Sequence, residues 1–295
     1  MTTVKEEYPP RRKPKVSVAV PASLVSDVPH LREKTLRIGL VGRALAIFRV
    51  DEVIIFPDIL GKNQTRDAGL ISIILSYMET PQYLRKQLFK IKPELRYCGI
   101  LPPLRTPHHP LRNKTRDLKD GEYRDGALVS VDGKGARVDV GVEHSIMVPN
   151  ADAAAGVRVT VRLNRKHADF KAEIVSRGTV PYYWGYKVET SKASFGNIAR
   201  DSQYDLVIAT SRLGEDFQQV ADVLRNKWDS SKHILVAFGA PSKGLHEIVK
   251  QEGLELSKLT DFIVNTVPRQ ATETIRTEEA LYATLAILNL LMLGQ

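Results

Sequence analysis

The sequence predicts an α/β domain on a mostly parallel sheet, interrupted by a small closed β-barrel. Three observations carry this. Buried-strand and helix textures alternate over residues 15–92, short alternating strands with glycine-rich turns fill the middle, and apolar strands with amphipathic helices return from about residue 183.

Taken in order, residues 16–25 (VSVAVPASLV) read as a buried strand running into a loop. Helical spacing of Leu31, Leu36, Ile38, Leu40, Leu45, Ile47 and Phe48 follows, then a strand that stops at Pro57. Residues 68–90 are helical, with a break at Pro81. Residues rich in Pro, Arg, Lys and Asp come next and read as an exposed linker. ALVSVD, ARVDVGV, SIMVP, VRVTVRLN and FKAEIVS are five short strands with no helix between them, the first two joined by Asp132-Gly133-Lys134-Gly135, a hairpin turn signal. That count and size suit an OB-like barrel. YWGYKVE, YDLVIATS, HILVAFG and DFIVNTV are further strands, GEDFQQVADVLRNKW is a helix, and TEEALYATLAILNLLM is the last one, with Thr277 as N-cap and Glu278 and Glu279 complementing its dipole. The expected boundaries are a disordered basic lead-in over 1–14, an α/β domain over 15–92 and 185–295, and an inserted barrel over 93–184.

The 295 residues carry a formal net charge of +9, unevenly spread. Residues 1–95 hold 16 Lys/Arg against 10 Asp/Glu, residues 96–177 hold 15 against 10, and residues 178–295 hold 12 against 14. A polyanionic partner is therefore expected at the front and middle of the chain. The single cysteine, Cys98, excludes an internal disulfide and a cysteine-based metal site, and the seven histidines lack metal-binding spacing, so no metal is expected. With no apolar leader and no stretch long enough to span a bilayer, a soluble cytoplasmic protein without a membrane partner is expected.

Three buried strands in the last third run into small and polar residues: Ala209-Thr210-Ser211-Arg212, residues 238–245 (FGAPSKGL) and residues 264–270 (VNTVPRQ). Ligands of parallel α/β sheets bind beyond the carboxyl ends of strands, so three such loops predict a ligand cradle. It is not a phosphate loop. Gly239 and Gly244 have the first P-loop spacing, but Leu245 and His246 follow where Lys and Ser/Thr are required.

Together, residues 237–248, 264–281, 206–217 and 41–56 (AFGAPSKGLHEI, VNTVPRQATETIRTEEAL, LVIATSRLGEDF, VGRALAIFRVDEVIIF) resemble the α/β-knot (SPOUT) superfamily of RNA methyltransferases, in particular an archaeal and eukaryotic branch with an OB-like insert. The resemblance implies a trefoil-knotted methyltransferase domain that binds S-adenosylmethionine largely through backbone groups. The positions carried over are Thr210, Phe238, Gly239, Ala240, Gly244, Val264, Asn265, Thr266, Val267, Thr272 and Thr274. It also implies that Arg43 holds the target nucleotide, offers Glu273 as the nearest candidate base, and makes a homodimer the expected form. The implied substrate is RNA, foremost ribosomal RNA, with uridine N3 favoured over a ribose 2′-hydroxyl as acceptor. A non-catalytic RNA-binding or ribosome-assembly factor that keeps the knot is the alternative. The RNA-contacting candidates are Arg105, Arg112, Lys114 and Arg116 in the linker, and Arg162, Arg165 and Lys166, clustered with Arg158 on one strand. Tyr182, Tyr183 and Trp184 are either base-stacking platforms or interface filling.

Overall fold

The computed structural model describes residues 8–132, 135–149, 154–166 and 169–291; the glycine-lysine tip of the expected hairpin turn and Met292 of the last helix lie outside them. The chain divides into two compact units. One holds Arg12–Ser76, Glu94–Pro102 and the chain from Tyr186 onward; the other holds the segment ending at Arg11, Tyr77–Pro93 and Pro103–Gly185.

The first unit is a six-stranded parallel sheet. Its strands are β1 (Lys15–Pro21) and β2 (Glu52–Phe56), then β8 (Lys187–Thr190), β9 (Leu206–Asp216), β10 (His233–Ala237) and β11 (Phe262–Asn265), in the order β11-β9-β10-β1-β2-β8. β1 and β2 are buried along almost their whole length, as expected where both faces are covered. On one face Ala19, Phe56, Ala209 and Leu235 pack with Phe195 of α4 (Phe195–Ala199) and with Leu245 and Ile248 of α6 (Leu245–Gln251). The alternate residues, Val18, Val53, Ile55 and Val236, are equally buried on the other face. α1 (Leu31–Ile47) and α7 (Thr277–Leu291) pack against each other. α2 (Thr65–Glu79) and α5 (Phe217–Ser230) complete the long helices.

β9 is longer than its apolar run suggests. It pairs with β11 at Ala209↔Ile263 and again at Glu215↔Val264, so residues 210–214 leave the ladder between consecutive β11 residues. Gly214 is obligatory there: a Cβ would stand 2.5 Å from the Ile263 carbonyl oxygen. β8 starts at Lys187, later than the YWGYKVE pattern implies, because Gly185 turns the chain at φ +76°.

The second unit is a closed barrel of β3 (Tyr123–Asp132), β4 (Gly135–Asp139), β5 (Ile146–Pro149), β7 (Asp169–Val175) and β6 (Arg158–Lys166), joined in that order. All pairings are antiparallel except the parallel contact of β5 with β7 at Met147↔Lys171. Leu128, Val138, Val148, Val161, Leu163 and Phe170 fill it. α3 (Gln82–Leu88), expected with the sheet, packs on β3. The segment expected to be a disordered lead-in is fastened from Tyr8 onward. Pro10 bridges to Tyr182, Arg11 Nε donates to the Val180 carbonyl at 2.6 Å, and a second Arg11 nitrogen donates to the Arg177 carbonyl. Its order comes from partners far along the chain, which local composition does not reveal.

A buried ion network knits this unit together. Glu79 accepts from Arg158 Nη1 at 2.6 Å and from Arg177, and lies 3.2 Å from His108. Asp125 accepts from Arg158, from Thr160 Oγ1 at 2.8 Å and from Trp184 Nε1 at 2.9 Å. Burial pushes the Glu79 carboxyl up, but Arg177, Arg158 and His108 together outweigh it and hold it well below the usual carboxylate range.

Candidate functional site

The sheet order reverses around β1, and the β9 bulge meets the loops leaving β10 and β11 at the carboxyl edge, where a cleft of about 340 Å³ opens. Of the eleven positions expected to bind the cofactor, ten line it: Thr210, Phe238, Gly239, Ala240, Gly244, Val264, Asn265, Thr266, Val267 and Thr274. Thr272 does not; it is exposed, and its carbonyl accepts from Gln270 Nε2 at 2.9 Å. Glu273 lines the cleft. Arg43 is outside the lining, half-buried on α1, where its charge is felt by Tyr282 of α7.

Polar side chains in the cleft mainly hold loops in place. Thr210 Oγ1 donates to the Ala237 carbonyl at 3.0 Å. Asn265 Nδ2 donates to the Arg212 carbonyl at 3.2 Å, and its Oδ1 accepts from the Val267 amide at 3.0 Å. The turn after β10 closes through the Ala240 amide on the Lys243 carbonyl at 2.8 Å. Gly239 fits inside that turn: a Cβ there would lie 3.1 Å from Gly244 Cα and 3.2 Å from both Leu245 N and the Lys243 carbonyl oxygen. Such loops present backbone groups to a ligand.

Sequence reading missed three fasteners. Thr277 is not an N-cap. It sits inside the first turn and its hydroxyl donates to the Gly239 carbonyl at 3.0 Å, while Glu279 receives the Arg276 amide at 2.9 Å. Thr284, one heptad on and on the same helix face, meets Thr266 hydroxyl to hydroxyl at 2.8 Å. Arg212 Nη1 donates to the Glu273 carbonyl at 2.7 Å and so ties the β9 bulge to the 270–274 loop. Two threonines seven apart on an apolar helix were the available signal for the first two.

The charged side chains of the lining balance: Arg212 and Lys243 against Glu247 and Glu273. That set suits a ligand carrying both a carboxylate and a cation, and it lacks the concentrated positive charge a polyphosphate demands.

A family model described as "Putative RNA methyltransferase" matches residues 15–288. The chain belongs to this RNA methyltransferase family. A 28S rRNA (uridine-N(3))-methyltransferase of Homo sapiens is 33% identical over 92% of this chain and 77% of its own length. Its Drosophila melanogaster counterpart is 31% identical over 92% of this chain and 61% of its own length. An uncharacterised protein of Halobacterium salinarum is 35% identical over 93% of this chain and 98% of its own length. The methyltransferase has no helix, among its described residues, long and apolar enough to cross a membrane.

All seven basic residues expected to touch RNA belong to the barrel unit. Arg162, Arg165 and Lys166 stand exposed on β6, and Arg105, Lys114 and Arg116 are exposed in the segment before β3. Arg112 is half-buried, 3.4 Å from Glu122. Arg158, their neighbour on β6, is consumed by Glu79 and Asp125. Tyr183 and Trp184 are only 3% and 2% exposed, which leaves Tyr182 as the accessible member of that trio.

Proposed function

We propose that the methyltransferase uses S-adenosylmethionine, is a member of the α/β-knot superfamily, and methylates ribosomal RNA at uridine N3. The observation that carries this reading is the charge-balanced cleft at the β9 bulge and the ends of β10 and β11, framed by loops in which Thr210, Asn265 and Arg212 are spent on internal bonds. The strand order and the return of α7 from the edge strand to pack on α1 support a knotted chain. The activity for which the human and fly relatives are named supports the rRNA substrate and the acceptor atom.

Thr210, Phe238, Gly239, Ala240, Gly244, Val264, Asn265, Thr266, Val267 and Thr274 would hold the cofactor, which when bound supplies an electrophilic methyl group on sulfonium sulfur. The protein's part is positioning, because transfer is an in-line displacement. N3 must also lose its proton; of the two lining carboxylates, Glu247 and Glu273, we assign Glu273, on a loop pinned by Arg212, to receive it. Since Arg43 is outside its own cleft, its role in holding the nucleotide calls for a homodimer in which a second copy presents it.

The test is calorimetric titration of the full chain with S-adenosylmethionine and S-adenosylhomocysteine, followed by nucleoside analysis of rRNA incubated with protein and cofactor. Micromolar binding, abolished in Gly239→Leu, and the appearance of 3-methyluridine are expected. A folded protein that binds neither compound, with RNA absent or present, would overturn the reading in favour of a non-catalytic RNA-binding factor.

A further inference from the structure

A second cavity, of about 420 Å³, lies wholly within the barrel unit and shares no residue with the cleft. Its walls include Tyr8, Pro10, Arg112, Lys119, Glu122 and Tyr182. We propose that this cavity captures one unstacked nucleobase of a single-stranded RNA segment, a nucleotide other than the one methylated, and that the N-terminal segment forms part of the binding site. The proposal rests on the RNA-methyltransferase reading and deepens it.

The aromatic platform is pre-set. Tyr182 leans on Trp184 at 5.6 Å between ring centroids and stands edge-on to Tyr123 at 6.0 Å. Trp184 is in turn fixed by its hydrogen bond to Asp125. Tyr8 lies against Tyr182 at 4.8 Å and 37°. Both tyrosines remain half-buried, with surface left to offer. Rings locked before a ligand arrives lose little entropy on binding.

The segment carrying Tyr8 is held against this wall. Besides the Pro10 bridge to Tyr182, the Tyr183 amide donates to the Pro9 carbonyl at 3.0 Å. The cavity's chemistry is that of a nucleotide. Lys119 and Arg162, whose guanidinium reaches within 3.7 Å of where a Cβ on the lining Gly121 would be, supply positive charge for the sugar-phosphate chain, while Arg112 is turned to Glu122 at 3.4 Å. Glu122 is taken up by Arg124 Nε at 2.9 Å and by the Lys119 amide at 3.0 Å, so Asp120, whose Oδ1 accepts the Arg165 amide at 2.7 Å, is the carboxylate with an oxygen to offer an exocyclic amino group of a base. An aromatic face with basic side chains beside it is how single strands are bound without a base-pairing partner.

The test is fluorescence anisotropy of a labelled single-stranded RNA 12-mer with the full chain and its Tyr8→Ala, Tyr8→Phe, Tyr182→Ala and Lys119→Ala variants, alongside cofactor calorimetry. Tyr8→Ala and Tyr182→Ala should each weaken RNA binding about 5- to 100-fold, the range for removing one base stack. Tyr8→Phe should restore it, and cofactor affinity should not move. Tyr8 is half-buried and belongs to no strand or helix, so its variants test the idea even if Tyr182→Ala does not fold. Unchanged RNA affinity in Tyr8→Ala and Lys119→Ala, with wild-type protein binding RNA, overturns the nucleobase site and leaves the RNA-methyltransferase reading standing. Wild-type protein that binds no RNA overturns both. Binding of free UMP or AMP as tight as the 12-mer also overturns the proposal, because it would mark a mononucleotide pocket.

Discussion

The two units spend their polar residues differently. In the sheet unit the polar side chains of the cleft turn inward to the loops: Thr210, Asn265, Thr277 and Arg212 all end on backbone carbonyls. In the barrel unit charges are sorted by depth. Arg158 and Arg177 are drawn into Glu79 and Asp125, while Arg162, Arg165 and Lys166 on the same barrel face solvent. On the proposed reading, shaped backbone is what a small ligand would meet and exposed charge what a polyanion would meet. A basic residue on a barrel strand therefore does not meet RNA by virtue of charge alone.

The largest effect should come from breaking the buried ion network. Glu79→Ala leaves Arg158 and Arg177 without their shared partner and should cost about 3–5 kcal/mol, read by denaturant unfolding. A cost below about 1 kcal/mol would show that the network is dispensable. The same group sets an acid limit. Its folded pKa lies well below the ordinary 4.5, so its stabilisation is complete above that value and disappears as pH falls through the folded pKa. Burial and the neighbouring His108 push His109 down to about 3 from 6.5, so the folded state also refuses this proton between those values. Both groups make stability fall with acid, and a melting temperature flat from about pH 7 to about pH 4 would contradict this.

Next in size is Gly214→Val, which forces a side chain into the Ile263 carbonyl and should cost about 1–3 kcal/mol by overpacking. Its signature is loss of cofactor binding with RNA affinity retained. Replacing Arg162, Arg165 and Lys166 together by alanine should do the reverse, lowering the slope of log affinity against log salt by about 1 for each phosphate no longer neutralised. Arg158→Ala should leave that slope alone and lower stability instead; equal slopes in the triple variant and wild type would erase the contrast between exposed and buried arginines. Smallest are Thr277→Val and Thr284→Val, each expected to cost about 1 kcal/mol. Their cofactor affinities, measured by the same calorimetry, distinguish a latch on the cleft from a bond that only stabilises α7.

Much of this architecture was legible because β1, β10 and the first four residues of β9 are near-continuous apolar runs and the barrel strands alternate. The OB-like insert followed from spacing and turn residues. The cleft loops were found through strand-end position and family resemblance together. What escaped depended on long-range partners. Arg11 is ordered by carbonyls at 177 and 180, Thr284 by Thr266, and Trp184 by Asp125. α6, with only seven residues, is too short for a periodic signal. Arg43 was assigned through the resemblance alone; it lies on α1, outside the cleft lining.

The bond from Thr277 to Gly239 has a consequence for how the protein is made. Residues contributing to the cleft's frame run from Ala19, whose carbonyl receives the Phe238 amide at 3.0 Å, to Thr284 in α7. Synthesis proceeds from the amino end at about 5–20 residues per second, and domains fold as they emerge. The barrel strands therefore leave the ribosome well before β9, and α7 comes after all the strands. A nascent chain therefore completes its barrel strands before the last elements that frame the cleft, and on the proposed reading a partly made copy would offer basic surface to RNA before it could hold a cofactor.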